Sequence, residues 1–278
     1  MKKNAVKDDW TKLHGRITVA DIKRLRNGVA ISKLSLTEMP TLTSRLAQAL
    51  ATLPAVDRLW LWCDVTRTAM RHVLAIPELR ILDVLAIVKP GPLDGFSTAG
   101  HLEVFRGNGC LTEADLFEIS RCMPLRELGA QGAKVSPQAI DAILTLPRLE
   151  TLDVEGSAFN DVMAAQVSAS TSLTSLDVGS TRITGAGLRS ICKMTQLRSL
   201  DLWATAITED DLDFLARLPN LEYLSVGDCE GDSTFHGESL LPRLAAIGSL
   251  KRVWLDGVSL DASHAEILAA RYESVRIT

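Results

Sequence analysis

The chain is poor in aromatic residues: Trp, Tyr and Phe number 5, 2 and 6 among 278 positions. A core resting on large rings is excluded, and small repeated layers filled by aliphatic side chains are expected instead. Cysteine is scarce as well, and Cys63, Cys110, Cys122, Cys192 and Cys229 are scattered without a Cys-x-x-Cys pair. That excludes a zinc site or a disulfide framework and suits a reducing, cytoplasmic setting. No run approaches the roughly 20 apolar residues of a membrane span, and the start Met1-Lys2-Lys3 leads into no apolar stretch, so neither secretion nor membrane anchoring is expected. Neither sign of charge dominates: 30 Lys and Arg face 34 Asp and Glu, a net charge of -4. A nucleic-acid binder normally carries a basic stripe for phosphates, so nucleic acid is not expected as a partner.

What the chain has is leucine, 42 residues of it. Leu125, Leu149, Leu173, Leu197 and Leu221 stand 24 residues apart, each followed at plus three and plus five by an apolar or small residue. The same frame catches Ile31-Leu34-Leu36, Val56-Leu59-Leu61, Leu79-Leu82-Val84 and Leu102-Phe105 upstream, and Leu250-Val253-Leu255 downstream, which makes ten units. Each continues with a polar turn, a helix-capping oxygen and about ten residues of helical apolar spacing. Thr112, Ser136, Asn160, Thr184, Thr208 and Asp261 occupy the capping position, and Pro137 fits a first helical turn. One strand and one helix cannot bury their own apolar sides. Stacked units can, with a parallel sheet on one face and helices on the other, and the stack curves because helices are wider than strands.

The fold class expected is therefore α/β: a curved solenoid with a concave parallel β-sheet and convex α-helices, about ten repeats of roughly 23–25 residues. Leu173-Thr-Ser-Leu-Asp-Val-Gly-Ser-Thr-Arg-Ile-Thr-Gly-Ala-Gly-Leu188 resembles the repeat of helix-backed leucine-rich repeat proteins of the bacterial and F-box-associated kind. The resemblance covers nearly the whole chain and implies a binding function without fixing its target. The turn position that many members fill with Asn holds Met39, Asp64, Ile87, Cys110, Ala133, Ser157, Thr181, Thr205, Cys229 and Val258. Ser and Thr there are expected to bond neighbouring backbone, whereas Ile87, Ala133 and Val258 must rely on packing.

Residues 1–28 read as an N-terminal cap, with a capped helix over Ile17–Leu25 closed by Asn27-Gly28, and residues 29–278 as the repeat domain. The cap is too short for an F-box or a catalytic domain. Residues 272–278 form a terminal strand whose edge offers a weak homodimer contact in an otherwise monomeric protein. Two units depart from the pattern. Residues 79–101 carry prolines and glycines where a helix is due, and residues 227–238 hold an insertion. Asp228, Glu230 and Asp232 in that insertion faintly resemble a calcium loop but lack its downstream glycine and glutamate, so a solvated acidic loop is expected.

Period two along each strand lists the concave face. It presents Trp60, Asp83, Arg106, Asp153, Asp177, Asp201 and Trp254 at plus four, and Trp62, Glu155 and Trp203 at plus six, with Tyr223 at plus two. Those residues are the candidate protein-binding set. Outward tryptophans act as interface anchors, unless they lie flat over the sheet or pack under the cap. Gly179 and Gly227 on either side of Trp203 leave lateral room for a guest side chain. Asp153, Asp177 and Asp201 stand about 4.8 Å apart on neighbouring strands, and either a basic partner or Arg126 and Arg198 must offset their repulsion.

No nucleotide-binding, hydrolase or metalloprotease motif is present, and the five histidines, His14, His72, His101, His236 and His264, lie far apart in sequence. An open sheet is expected to provide no water-excluded pocket that would shift a carboxylate, so catalysis, metals and cofactors are not expected. The reading is a noncatalytic, cytoplasmic binder of a basic protein, acting as an inhibitor or toxin-neutralising protein. The alternative is a secreted effector or ubiquitin-ligase-type adaptor.

Overall fold

The computed structural model describes residues 10–26, 31–88, 91–109, 111–228 and 235–277. Asn27, Gly28, Cys110, Cys229, Glu230, Asp232 and Thr278 lie outside them. Among the described residues twelve strands form one parallel sheet in strict chain order. They are β1 (Thr11–His14), β2 (Lys33–Leu42), β3 (Arg58–Thr66), β4 (Ile81–Val88), β5 (Val104–Gly107), β6 (Glu127–Gly129), β7 (Thr151–Asp153), β8 (Ser175–Asp177), β9 (Ser199–Asp201), β10 (Tyr223–Gly227), β11 (Arg252–Asp256) and β12 (Ser274–Ile277). Between them run α1 (Val19–Arg26), α2 (Ser44–Leu50), α3 (Arg67–Leu74), α4 (Glu113–Ile119), α5 (Pro137–Ile143), α6 (Asp161–Val167), α7 (Gly185–Ile191), α8 (Gly237–Ala246) and α9 (Ala262–Arg271). Strands repeat every ~4.8 Å and packed helices every ~8–10 Å, so the sheet side of such a stack is the concave one.

The leucine frame is the core. Leu34, Leu59, Leu82, Phe105, Leu128, Leu152, Leu176, Leu200, Leu224 and Val253 are aligned strand to strand. None is more than 1% exposed. Capping oxygens hold the helices as the spacing predicts: Ser136 accepts the Ala139 N–H, Asn160 the Val162 N–H, and Thr112 forms a reciprocal box with Asp115. At the turn position Thr181 and Thr205 donate to the carbonyls of Val178 and Leu202 at 2.6 and 2.7 Å, while Ile87 and Ala133 are simply buried.

Four features depart from the expected pattern. The cap contributes β1, which pairs in parallel with β2 and extends the sheet by one strand. The strands β2 to β4 run eight to ten residues, through the turn position, whereas β6 to β9 have three. A register shift between Leu61 and Asp64 makes a bulge at Trp62. After Thr208 the chain forms a 3-10 helix over Glu209–Arg217 in place of an α-helix.

Among its described residues the irregular unit has one 3-10 turn, Phe96–Thr98, where its neighbours have helices. The row of convex helices is interrupted there, and Arg67 of α3 reaches across to Asp115 of α4, 48 residues on, in a buried ion pair whose second contact is 2.8 Å. Burial works to raise the Asp115 carboxyl, but Arg67 together with the Thr112 N–H and hydroxyl hold it below its ordinary range.

Candidate protein-binding face

Strand register sets one row of side chains across the sheet: Ser35, Trp60, Asp83, Arg106, Gly129, Asp153, Asp177, Asp201, Ser225, Trp254 and Arg276. Arg106 divides it. Its guanidinium bonds Asp83 at 3.0 Å and Glu127 at 2.6 Å, and its stem covers Gly129, where a Cβ would meet Arg106 Cγ at 3.0 Å. Glycine is needed there because Arg106 lies flat over the sheet.

The half before Arg106 is aromatic. Trp10 packs on Trp60 with ring centroids 4.6 Å apart, and Trp60 meets Trp62 edge-on at 6.4 Å. Trp60 is thus partly covered from the cap side, while Trp62, re-aimed by the bulge, and Leu85 are 55% and 48% exposed.

The half after Arg106 is acidic. Asp153, Asp177 and Asp201 each accept the backbone N–H two residues on, from Glu155, Gly179 and Trp203, at 3.0, 2.9 and 2.9 Å. These bonds tie down the exit of each strand, a task no reading of exposed charge anticipates. The expectation that an open face leaves carboxylates unshifted is wrong here. Burial first, then the neighbouring Asp201 and Asp153, push the Asp177 carboxyl up to about 8. Burial also raises Asp153, Asp201 and Glu155. The physical reason is that a concave row of side chains excludes much of its own water. Arg126 and Arg198 do not offset the column, because they pair with Glu150 and Glu222 at 2.6 and 2.8 Å. Among the described residues no ion pair reaches Asp153, Glu155, Asp177 or Asp201. One oxygen each of Asp153, Glu155 and Asp177 lies within 4.8 Å of the others, close enough to share a cation.

Trp203, Tyr223 and Trp254 close this half. Tyr223 meets Trp254 edge-on at 5.5 Å, and the Arg276 guanidinium lies 4.8 Å from the Trp254 ring centre on the far side of the row. Trp203 is half-buried, and its indole N–H is buried without a partner. The expected room beside it at Gly227 is absent. Gly227 has φ 143, and a Cβ there would fall 1.9 Å from the Asp256 carbonyl oxygen, so backbone fills that space. The opening lies instead over Ser225, as a cleft of about 280 Å³ lined by Glu155, Asp177, Asp201, Trp203, Ser225, Trp254 and Asp256. Ser225 and Asp256, which period two places on the outward face, and Arg276 stand outside the candidate set; register aligns Ser225 and Arg276 with the column, and Asp256 lies two positions past Trp254, beside Gly227.

His14 stands on this face, in register with Thr37 and Trp62, whereas His72, His236 and His264 belong to the helical side. His264 completes a capping box with Asp261, His236 lies 3.4 Å from Glu209, and His14 and His72 bond Thr37 and Gln48. Cys63, Cys122 and Cys192 are free and buried, and burial pushes their thiols up to about 11, 12 and 12.

Residues 169–192 match the family model described as Leucine Rich repeat. The chain folds as a leucine-rich repeat protein. Similar solved structures include an internalin (inlF) from Listeria monocytogenes, with 16% identity, 93% of this chain and 78% of that chain covered, and a TM-score of 0.52. A chain of the yeast Rad7 and Elc1 complex aligns with 14% identity, covering 92% of this chain and 81% of that one, at TM-score 0.56. The TLR13–ssRNA13 complex aligns at 18% identity and TM-score 0.54, with 89% of this chain on 35% of that one. At these identities the likeness is one of fold. No curated protein sequence matches the chain. No helix among the described residues of this leucine-rich repeat protein is long and apolar enough to cross a membrane.

Proposed function

We propose that this leucine-rich repeat protein is a noncatalytic binding module that holds a basic protein partner against its concave face. The observation that carries this reading is the column Asp153, Asp177 and Asp201, half-buried, without an ion-pair partner among the described residues and flanked by Trp203 and Trp254. A surface that leaves like charges side by side is complementary to a partner that brings the opposite sign. Action by blockade, as an inhibitor or toxin-neutralising protein, suits a horseshoe whose binding face is its main chemical feature, and buried free thiols suit the cytoplasm. The secreted effector or adaptor reading is the alternative, and the identity of the captured partner separates the two.

The test is capture from the native cell's lysate by wild type and by a Trp203→Ala, Trp254→Ala double variant of unchanged circular dichroism. Loss of a wild-type partner in the variant is expected, since truncating such anchors costs more than about 2 kcal/mol of binding. Capture of the same partner by both proteins would move the site to another face.

A further inference from the structure

We propose that the cleft over Ser225 seats one arginine of the partner, its guanidinium between Trp203 and Trp254 and bonded to Asp201 and Asp177. This rests on the concave-face reading and gives its partner a residue.

The argument starts from the row itself. Asp83 has Arg106 as its cross-strand neighbour, and Trp254 has Arg276. Next to the three aspartates the row offers Ser225, whose side chain hydrogen-bonds Asp201 but brings no charge. Above it opens the cleft of about 280 Å³, whose lining among the described residues is four carboxylates, two indoles and Ser225, with Arg276 on its outer rim against Trp254 and Asp256. Coulombic complementarity in a half-buried site is worth far more than on an open surface. A cation entering here meets acceptors already held in place by their bonds to Gly179 and Trp203 N–H.

The chain itself shows which cation these walls accept. On one flank the Arg106 guanidinium joins two carboxylates, Asp83 and Glu127. On the other, the Arg276 guanidinium lies over Trp254 with its Nε 3.9 Å from Asp256 Oδ1. The cleft combines both arrangements, carboxylates below and tryptophan beside. A planar guanidinium stacks flat on indole and presents a fixed fork to two oxygens at once, whereas a lysine ammonium is a compact point charge with neither the plane nor the fork. Arginine is therefore the residue the geometry selects.

Occupancy is coupled to a proton. Asp177 faces Asp153 and Glu155 from the β7 side and Asp201 from β9, with Tyr223 and Ser225 beyond on β10, and its carboxyl is pushed up to about 8. It is largely protonated at neutral pH, and a guanidinium beside it favours release of that proton to solvent. Binding then tightens as pH rises from 6 to 9.

The experiment titrates the full chain, labelled with 15N-tryptophan, with acetyl-Gly-Arg-Gly-amide and with its lysine counterpart. Saturable shifts of the Trp203 and Trp254 indole signals are expected, with Trp62 unmoved and lysine at least fivefold weaker. Asp201→Asn, nearly isosteric, is expected to weaken arginine at least tenfold. Asp177→Asn is expected to abolish the pH dependence, which in wild type amounts to at least a fivefold gain between pH 6 and 9. Ser225→Arg fills the cleft from within and is expected to block the peptide; should it fail to fold, Asp201→Asn decides. Equal affinity for the two peptides, or arginine binding unchanged by Asp201→Asn, overturns the proposal. If the natural partner is still lost in the double tryptophan variant, that outcome leaves the concave-face reading standing; if it is retained, both fall.

Discussion

Asp177 is a residue whose charge works against the fold that holds it. Its folded value of about 8 lies above the ordinary 3.8, so the folded state prefers the protonated form. The stability it contributes is full below about pH 4 and is lost as pH rises through 8. Asp177→Asn keeps the acceptor for the Gly179 N–H and removes the ionisation. The variant is expected to match wild type near pH 4 and exceed it at pH 9 by at least about 1.4 kcal/mol, one pKa unit's worth, in urea midpoints. Period two was enough to place Trp60, Trp62, Trp203 and Trp254 on the outward face, because alternation is a property of any strand. It could not weigh Asp177, whose shift depends on how much water its neighbours displace across strands. Nor could it see Gly227 closed off by the Asp256 carbonyl, a contact between residues 29 positions apart.

At the scale of elements, one buried ion pair bridges the gap in the row of convex helices. Where the helix between β4 and β5 is replaced by a loop and a 3-10 turn, Arg67 and Asp115 link α3 to α4. Their side chains are 10% and 2% exposed, and removing Arg67 would leave the buried Asp115 charge with Thr112 alone to hold it. Arg67→Ala is expected to destabilise by about 3–5 kcal/mol in chemical unfolding. The companion change Thr112→Ala, which removes the helix cap and one hydroxyl bond to Asp115 but keeps the ion pair, should cost about 1–2 kcal/mol. Since Asp115 is held low, the pair's contribution is present above about pH 4 and lost as pH falls through the folded value. The irregular unit was legible as a run of prolines and glycines. Its bridge was not, since nothing in local sequence joins positions two repeats apart. The strand β1 was likewise invisible, because Thr11-Lys-Leu-His14 carries a single leucine and no repeat frame. The length of β2 to β4 escaped for a related reason: Met39, Asp64 and Ile87 fit a turn position and a strand equally well.

For the whole molecule, the face is divided by Arg106 into an aromatic end and an acidic end. Such a division separates two kinetic roles. On the proposed concave-face reading, the carboxylates would steer a basic partner through a field that salt screens, whereas the rings, Trp254 among them, would act only on contact. Raising ionic strength from about 0.05 to 0.5 M is expected to slow association of the captured partner about tenfold or more. Its dissociation should change far less, as measured by surface-bound kinetics. Trp254→Ala is expected to do the reverse, speeding dissociation with little effect on association.

The parallel order of the sheet has a consequence for how such a protein changes over generations. Every cross-strand row draws one letter from each unit, so duplicating or deleting a single unit lengthens or shortens all rows together by one step of about 4.8 Å. An added unit between β5 and β7 would slide the tryptophan end away from the aspartate end by that step and leave both internally intact. The face behaves as a vernier, in which spacing is set by the number of units and content by single substitutions, and the two can drift independently.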